Sequence, residues 1–484
     1  MPSVKVEAPV ADGTLTSISS YYRRLQYRAI DSTYFNSAFT AQSFLDPVYP
    51  AQAAQIDTSI ATIPAPDYNN TNITQVSQEL RYASPKESLF GRPFTWIGGL
   101  YFNRQVGKYA DYEYMPGLGS AFQQIFGFPI NSPQSFLGPA NFPGVDFDHD
   151  LVYSTNQRTD ERQYAVFAQG RLDVTDQLKL DLGIRYVRAR LSSDGDGAGL
   201  YYFGNQSPFS SVAHFNATTP KIALTYQVDS NTNVYGSATK GFRLGGPSGP
   251  TPAIGSGICD ADYHTLAIGS LEQESASDSL WTYEAGNKTA LLNRRLSIDS
   301  SVYLSDWKNI QQAILLPTCG FRYTTNIGNA RVYGAETSVE ALLTSKLRVS
   351  ATGGYTHAAM TQSLNPQTAA VGERLLYVPD WTAAFGAEYS SGVEALYSPV
   401  LRLDYSLIGP SHGSYVVTDT AYNQPRYAVV NGDIGINVSS YTISVYAKNV
   451  FNDHTLIQRP IVDAVEQAVT PRPRTVGLRV EKAF

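Results

Sequence analysis

The stretch QLKLDLGIRYVRARL, residues 177–191, changes polarity at nearly every step. Leu178, Leu180, Leu182, Ile184 and Tyr186 fall on one side, and Lys179, Asp181, Gly183 and Arg185 on the other. Successive side chains point to opposite faces of a β-strand, so this spacing reads as a half-buried strand. The same period recurs in KIALTYQV, KLRVSATGGYTH, DWTAAFGAEYS and LRLDYSL. Repeated from Thr14 to Phe484, it predicts about 16 strands. No segment holds a helical period beyond two turns. The best helix candidate is IVDAVEQAV after Pro460.

The connections come in two kinds. One set is short: DVTDQ around Asp173, VDSNTN around Asp229, LLNRR around Asn293, LTSK around Thr344, SSGVEALYS around Gly392 and NVSS around Ser439. The other set is long and rich in Gly, Pro, Ser, Asn and Tyr, at residues 106–160, 192–214, 245–279, 313–321 and 452–471. Long loops without structure of their own are uncommon inside a compact domain and tend to be functional.

This lopsidedness fits an all-β fold of one kind: an antiparallel transmembrane β-barrel, with short turns on the periplasmic rim and long loops outside. In lipid every backbone polar group must pair within the protein, and strands achieve this only by closing. The apolar faces then meet lipid and the polar faces line a wet lumen. Tyr186, Tyr226, Tyr355 and Tyr389 lie at the ends of apolar faces, where an aromatic girdle belongs. Charged residues are 16% of the chain, below the ~25% of an average soluble protein. The C-terminal strand, with Val476, Leu478, Val480 and Phe484 as its apolar and terminal residues, reads as a barrel-closing signal. In this reading the strand around Thr16–Tyr27 hydrogen-bonds to it.

Other classes are excluded. The net charge of −6, from 36 basic and 42 acidic residues, gives no basic footprint for nucleic acid. There is no apolar run of about 18 residues for a transmembrane helix. MPSVKVEAPVADGTLTS has no charged start followed by an apolar stretch, so no signal peptide is expected in this sequence. The six histidines, His149, His214, His264, His357, His412 and His454, have no metal-ligand spacing, and no nucleophile–base pair stands out. TKGFRLGG has neither the spacing nor the following helix of a phosphate loop. No enzyme and no cofactor are expected.

Several segments, in order, resemble the barrel half of TonB-dependent outer-membrane receptors. They include TLTSISSYYRRLQY, AVFAQGRLDVTDQLKLDLGIRYVRAR, NVYGSATKGFRLGG, NIGNARVYGAETSVEA, YAKNVFNDH and RPRTVGLRVEKAF. The resemblance implies a location in the cell outer membrane and uptake of a scarce bulky nutrient such as a ferric siderophore, vitamin or glycan. It also implies contact with lipid and with the barrel assembly machinery. The family's barrel has about 22 strands, preceded by a signal peptide, a TonB-contacting box and a plug. No segment here matches those three. The expectation is therefore a partial barrel over 14–484 after a lead-in, 1–13, with TonB as partner only if a plug is supplied. The rivals are a passive porin-like pore and a soluble β-sandwich.

Candidate site residues follow from the outer loops. Tyr109, Tyr112, Tyr114, Phe122 and Phe126 in the 106–160 loop are candidates to stack on a ligand ring, with loop self-packing as the alternative. Asp146, Asp148 and Asp150, with His149 among them, are weak calcium candidates. They lack the glycine and distal glutamate of a calcium loop, and solvated charge is the alternative. Lys240 and Arg243 are candidates for an anionic ligand or for headgroup contact. Cys259 and Cys319 fall in consecutive outer loops, where an oxidising exterior favours a disulfide over free thiols.

Overall fold

The computed structural model describes the chain except residues 1, 143–146, 201–208, 249–250, 256, 258, 273, 317, 320, 392–396, 416, 418–420, 459–460, 463–464, 467 and 483–484, and the side chains at 148, 209, 461–462 and 465–466. One antiparallel sheet of 18 strands dominates it. Seventeen of these form its main run: β1 Ser3–Val10, β2 Gly13–Asp31, β3 Pro66–Ala83, β4 Arg92–Tyr114, β5 Leu151–Asp173, β6 Leu178–Gly199, β7 Phe209–Gln227, β8 Thr232–Arg243, β9 Asp278–Leu291, β10 Leu296–Lys308, β11 Gly328–Leu342, β12 Leu347–Ser363, β13 Trp381–Ser390, β14 Ser398–Ile408, β15 Tyr427–Val438, β16 Tyr441–Lys448 and β17 Thr475–Lys482. The three-residue strand Glu87–Leu89 pairs with the start of β4. Each strand of the run pairs with the next in sequence. The sixteen from β2 onward are those read from the alternation.

The register carries one face from strand to strand. Leu80 pairs with Leu100, Leu100 with Val166, and Val166 with Tyr186. Further along, Leu401 pairs with Ile434, Ile434 with Val445, and Val445 with Leu478. All of these are exposed, Leu478 by 68%. An apolar band this continuous and this bare is a lipid-facing surface. A sandwich would bury such residues against a second sheet, so the soluble alternative falls. Tyr186 and Tyr355 stand at the outer end of the band, and Tyr226 and Tyr389 at the end beside the short turns. On the opposite face, tyrosine rings lie flat across glycines. A Cβ on Gly334 would come within 2.6 Å of the Tyr303 hydroxyl, and one on Gly477 within 2.6 Å of the Tyr446 ring.

The two kinds of connection alternate around the sheet. Ala11 and Asp12 make a two-residue hairpin with both φ positive, at 46° and 62°, as the strand twist prefers. The other end carries the long loops.

Several expectations need correction. The supposed lead-in, 1–13, holds β1, which pairs with β2 over Ser3–Ser20 to Val10–Gly13. The strand containing Thr16–Tyr27 has its two edges occupied by β1 and β3, so it cannot bond to the last strand. Among the described residues, β17 pairs only with β16. The long loops are shorter than their polarity implied, because the ladder runs on past the bilayer, where neither face needs to be apolar. The 106–160 segment is strand up to Tyr114 and again from Leu151. The described residues at the start of IVDAVEQAV are not helical, since Ile461–Val462 pairs as a strand with Val465–Glu466. Helices occur in the loops instead: α1 Ala53–Ser59, α2 Leu118–Phe126 and α3 Asp260–Thr265.

Candidate functional site

The outer end is built from loops that fold on one another. Residues 32–65 and 115–150 share one apolar core. Phe44, Leu45, Ile56, Ile60, Met115, Leu118, Phe122, Phe142 and Phe147 are all buried in it. Helix α2 presents Leu118 and Phe122 to this core and is bounded by Gly117 and Gly127, at φ 92° and 79°. The Asp150 carboxylate accepts from the Gly117 N–H at 2.9 Å. Phe122 is wholly buried, 4.3 Å from the Phe126 ring, which lies 4.4 Å from Tyr49. Phe122 is thus spent on loop self-packing, and Phe126 is half-buried against the same core. Asp150 thereby clamps the start of α2. Asp146 and the Asp148 side chain lie outside the described residues.

Tyr109, Tyr112 and Tyr114 are on β4, not in a loop, and the alternation parts them. Tyr109 faces inward. Its hydroxyl donates to Asp111 at 2.8 Å and to Asn69 at 3.0 Å. Tyr112 faces outward and donates to Asn156 at 3.0 Å. Tyr114 stands 6.1 Å from Tyr68 on that outward side.

Tyr109 leads to a group that sequence reasoning missed. Asp67 on β3 and Asp111 and Glu113 on β4 offer carboxylate oxygens within 4.8 Å of one another, and all three are buried. Asn69 donates to Asp111 at 3.0 Å and also to Asp67. Three carboxylates this close form a donor set suited to a hard divalent cation. The signal was a carboxylate pair at i, i+2 in YADYE, on one face of a strand. Its partner Asp67 comes from another strand, so no local spacing marks it.

A second set of loops is stitched covalently. Cys259 and Cys319 form a disulfide with Cα atoms 5.4 Å apart. It is buried with Tyr263, Ile310, Leu316, Ile327, Met360 and Leu375. Asp262, in α3, accepts from the Thr318 N–H at 3.0 Å, the Thr318 hydroxyl at 2.6 Å and the Cys319 N–H at 3.3 Å. Burial pushes the Tyr263 hydroxyl up to about 12, and it donates to the Pro252 carbonyl at 2.7 Å. The next loop joins in, with Asn365 donating to the Leu266 carbonyl at 2.7 Å. Three consecutive loops therefore form one lid-like unit over the sheet end.

Lys240 and Arg243 do not act together. Lys240 is on the outward face, opposite Trp281, at the height of the aromatic girdle. Arg243 is on the inward face, paired with Asp278 and donating to the Gln311 carbonyl at 2.9 Å. Its guanidinium lies 5.7 Å from the Trp307 ring. With these bonds made, Arg243 braces the loop bases and is not a free anion site. Deeper on the inward face, Arg185 lies over Tyr101 at 5.0 Å and Phe167 at 5.6 Å.

The fold has known counterparts. The chain is similar to the ferric yersiniabactin uptake receptor FyuA from Yersinia pestis, with a TM-score of 0.71 and 15% identity, covering 100% of this chain and 60% of that one. It is similar also to the siderophore receptor PiuA from Acinetobacter baumannii, with a TM-score of 0.66 and 15% identity, over 99% of this chain and 63% of that one. In sequence, 310 residues are 24% identical to the metal-pseudopaline receptor CntO of Pseudomonas aeruginosa (strain UCBPP-PA14), covering 61% of this chain and 39% of the relative. A further 26% identity over 220 residues relates 42% of the chain to 25% of the ferric-pyoverdine BN7/BN8 receptor of Pseudomonas putida. The matched part thus spans well under half of these relatives' own length. The TonB dependent receptor-like, beta-barrel family matches residues 8–452. The chain belongs to that family of TonB-dependent receptor β-barrels, proteins of the Gram-negative outer membrane that are receptors and not enzymes.

Proposed function

We propose that this barrel serves the uptake of a metal chelate of the siderophore class. Its folded loops provide the outer recognition surface, and transport is driven through TonB when a plug occupies the lumen. The single observation that carries this reading is the loop cap. A disulfide, the Asp262 clamp and a phenylalanine core hold the outer loops in a defined shape, and pre-shaped loops are what selective capture requires. The named relatives that take metal–pseudopaline and ferric pyoverdine support the ligand class. The β17 face bearing Val476, Leu478 and Val480, all exposed, is proposed as the surface offered to the assembly machinery. Phe484 lies outside the described residues.

The test is binding and conductance on the purified, folded protein. Titration of a panel of ferric and other metal siderophores, followed by tryptophan fluorescence, is expected to yield one chelate bound at micromolar Kd or tighter. The metal-free forms should bind at least tenfold more weakly. Absence of binding across the panel, together with a large pore insensitive to every chelate, would establish the passive channel instead.

A further inference from the structure

One patch of the outward face is not explained by contact with lipid alone. On β6 and β7 the lipid-facing positions are filled by Leu182, Ile184, Ile222 and Leu224, all exposed. On β9, β10 and β11 the outward face is marked by Tyr283, Val302 and Tyr333, which are exposed in the same way. Alternation from these three brings Asn287, Ser300 and Thr337 to that face. They stand directly opposite one another, since Asn287 pairs with Ser300 and Ser300 with Thr337. Each lies about four or five residues above the short turn at the foot of its strand, roughly 13–16 Å along it. At the usual strand tilt this is ~10 Å of depth in an apolar band ~25 Å tall. Three polar side chains therefore sit near the middle of the hydrocarbon.

Their hydrogen bonds do not close within the sheet. Ser300 and Thr337 share one at 2.9 Å. Asn287 donates to the Thr289 hydroxyl at 3.2 Å. Its carbonyl oxygen and second N–H have no partner among the described residues, and an unbonded amide in hydrocarbon costs stability. A second polar group of the outward face, Ser17, Ser19 and Gln78, behaves differently. Gln78 donates to Ser17 at 2.9 Å and accepts from Ser19, so that group satisfies itself. The surface around Asn287 is also hollow. A groove of about 720 Å³ runs over Ala285, Asn287, Ser300, Ala335, Thr337 and Gly353. Val302 is 58% exposed and pairs with Ala285 on one side and Ala335 on the other. It is a ridge between two hollows.

We infer that the outward face of β9–β11, with Gly353 of β12 at its margin, is an intramembrane docking surface for a second copy of this chain. Inside a bilayer, burying apolar surface gives no drive, and association comes from close packing over small residues and from hydrogen bonds. The patch offers both. A two-fold axis along the membrane normal keeps the loops of both copies outside and is the commonest symmetry of self-association. It presents the Val302 ridge of each copy to the alanine hollows of the other. The Asn287 carboxamide is donor and acceptor at once, and so are the Ser300 and Thr337 hydroxyls. Identical patches can therefore satisfy one another. The patch carries no formal charge, so nothing repels a like surface and nothing calls for a partner of opposite sign. This self-complementarity selects a second copy over a different membrane protein. The surface faces away from the lumen and is independent of the nutrient route.

Both cysteines are held in the Cys259–Cys319 disulfide, so an added cysteine reports alone. Ser300→Cys is made in the full chain, and Leu403→Cys serves as a lipid-facing control on β14, outside the patch. Outer membranes carrying either variant are treated with copper phenanthroline. Ser300→Cys is expected to give a cross-linked band at twice the mass of the chain, and Leu403→Cys about tenfold less of it. Purified protein, its fold verified by heat-modifiable migration, is then labelled on its amines with donor or acceptor dye and reconstituted into vesicles. Energy transfer should rise with the protein-to-lipid ratio in wild type. In N287L/T337V the midpoint should move about tenfold toward higher ratios. Both substitutions set apolar side chains against lipid, so the barrel should hold. Should that variant fail to fold, A285F/A335F, which fills the hollows, replaces it with the same expectation. Equal cross-linking at Ser300 and Leu403 would overturn the proposal, as would a cross-linked band at any other mass or energy transfer unchanged in the variant. Chelate titration of the variants should match wild type, so failure here leaves the uptake reading standing.

Discussion

At the scale of single residues, the two faces of a strand obey opposite rules. Leu182 is 49% exposed yet belongs where it is, because its solvent is hydrocarbon. Leu182→Arg is expected to cost about 2–4 kcal/mol, as a cation near a bilayer midplane does. Chemical unfolding of the protein refolded into vesicles would measure this. The same change at outward-facing Val212, above the band and 47% exposed, should cost less than ~1 kcal/mol. In the last outer loop, Asp453 obeys aqueous rules. Hydrogen bonds from Thr455, including its N–H at 2.8 Å, hold the Asp453 carboxyl below the ordinary carboxylate range, with the Ala428 N–H adding to the effect. A depressed carboxyl contributes stability that is whole above its unfolded pKa and is lost as pH falls through its folded value. The 449–474 loop should therefore resist pepsin at a pH of about 4 and become cleavable near pH 2. Asp453→Asn should flatten that dependence.

At the scale of elements, strands were legible and helices were not. Each strand repeats its pattern over many residues and shares its register with two neighbours, so the period-two signal is redundant. Helix α2 spans only nine residues. Its apolar residues Leu118 and Phe122 face a core completed by a different loop, so no pattern within it is long enough to read. The tyrosines of β4 were misplaced for a related reason. Above the bilayer both faces of a strand are wet, and polarity no longer separates strand from loop. Among the loops, covalent closure should dominate. The double variant C259S/C319S should loosen the three-loop unit by ~2–4 kcal/mol. This would appear as protease cleavage within 244–277 and 309–327 while the heat-modifiable barrel persists. Equal protease resistance with and without the bridge would show that Asp262 and the apolar packing suffice.

At the scale of the whole molecule, alternation and the two classes of connection determined a lipid-facing antiparallel sheet with its loops at one end. A bilayer leaves a chain of strands no other way to satisfy its backbone, so this much follows from the order of apolar and polar residues alone. Only the tertiary structure decided which residues meet. It buried Phe122 in a loop core, with Phe126 half-buried against it, and set Lys240 and Arg243 on opposite faces. It also drew Asp67 to Asp111 and Glu113, and aligned Asn287, Ser300 and Thr337 across three strands. Those groupings depend on register between segments tens of residues apart, and register is a property of pairing that no single segment contains.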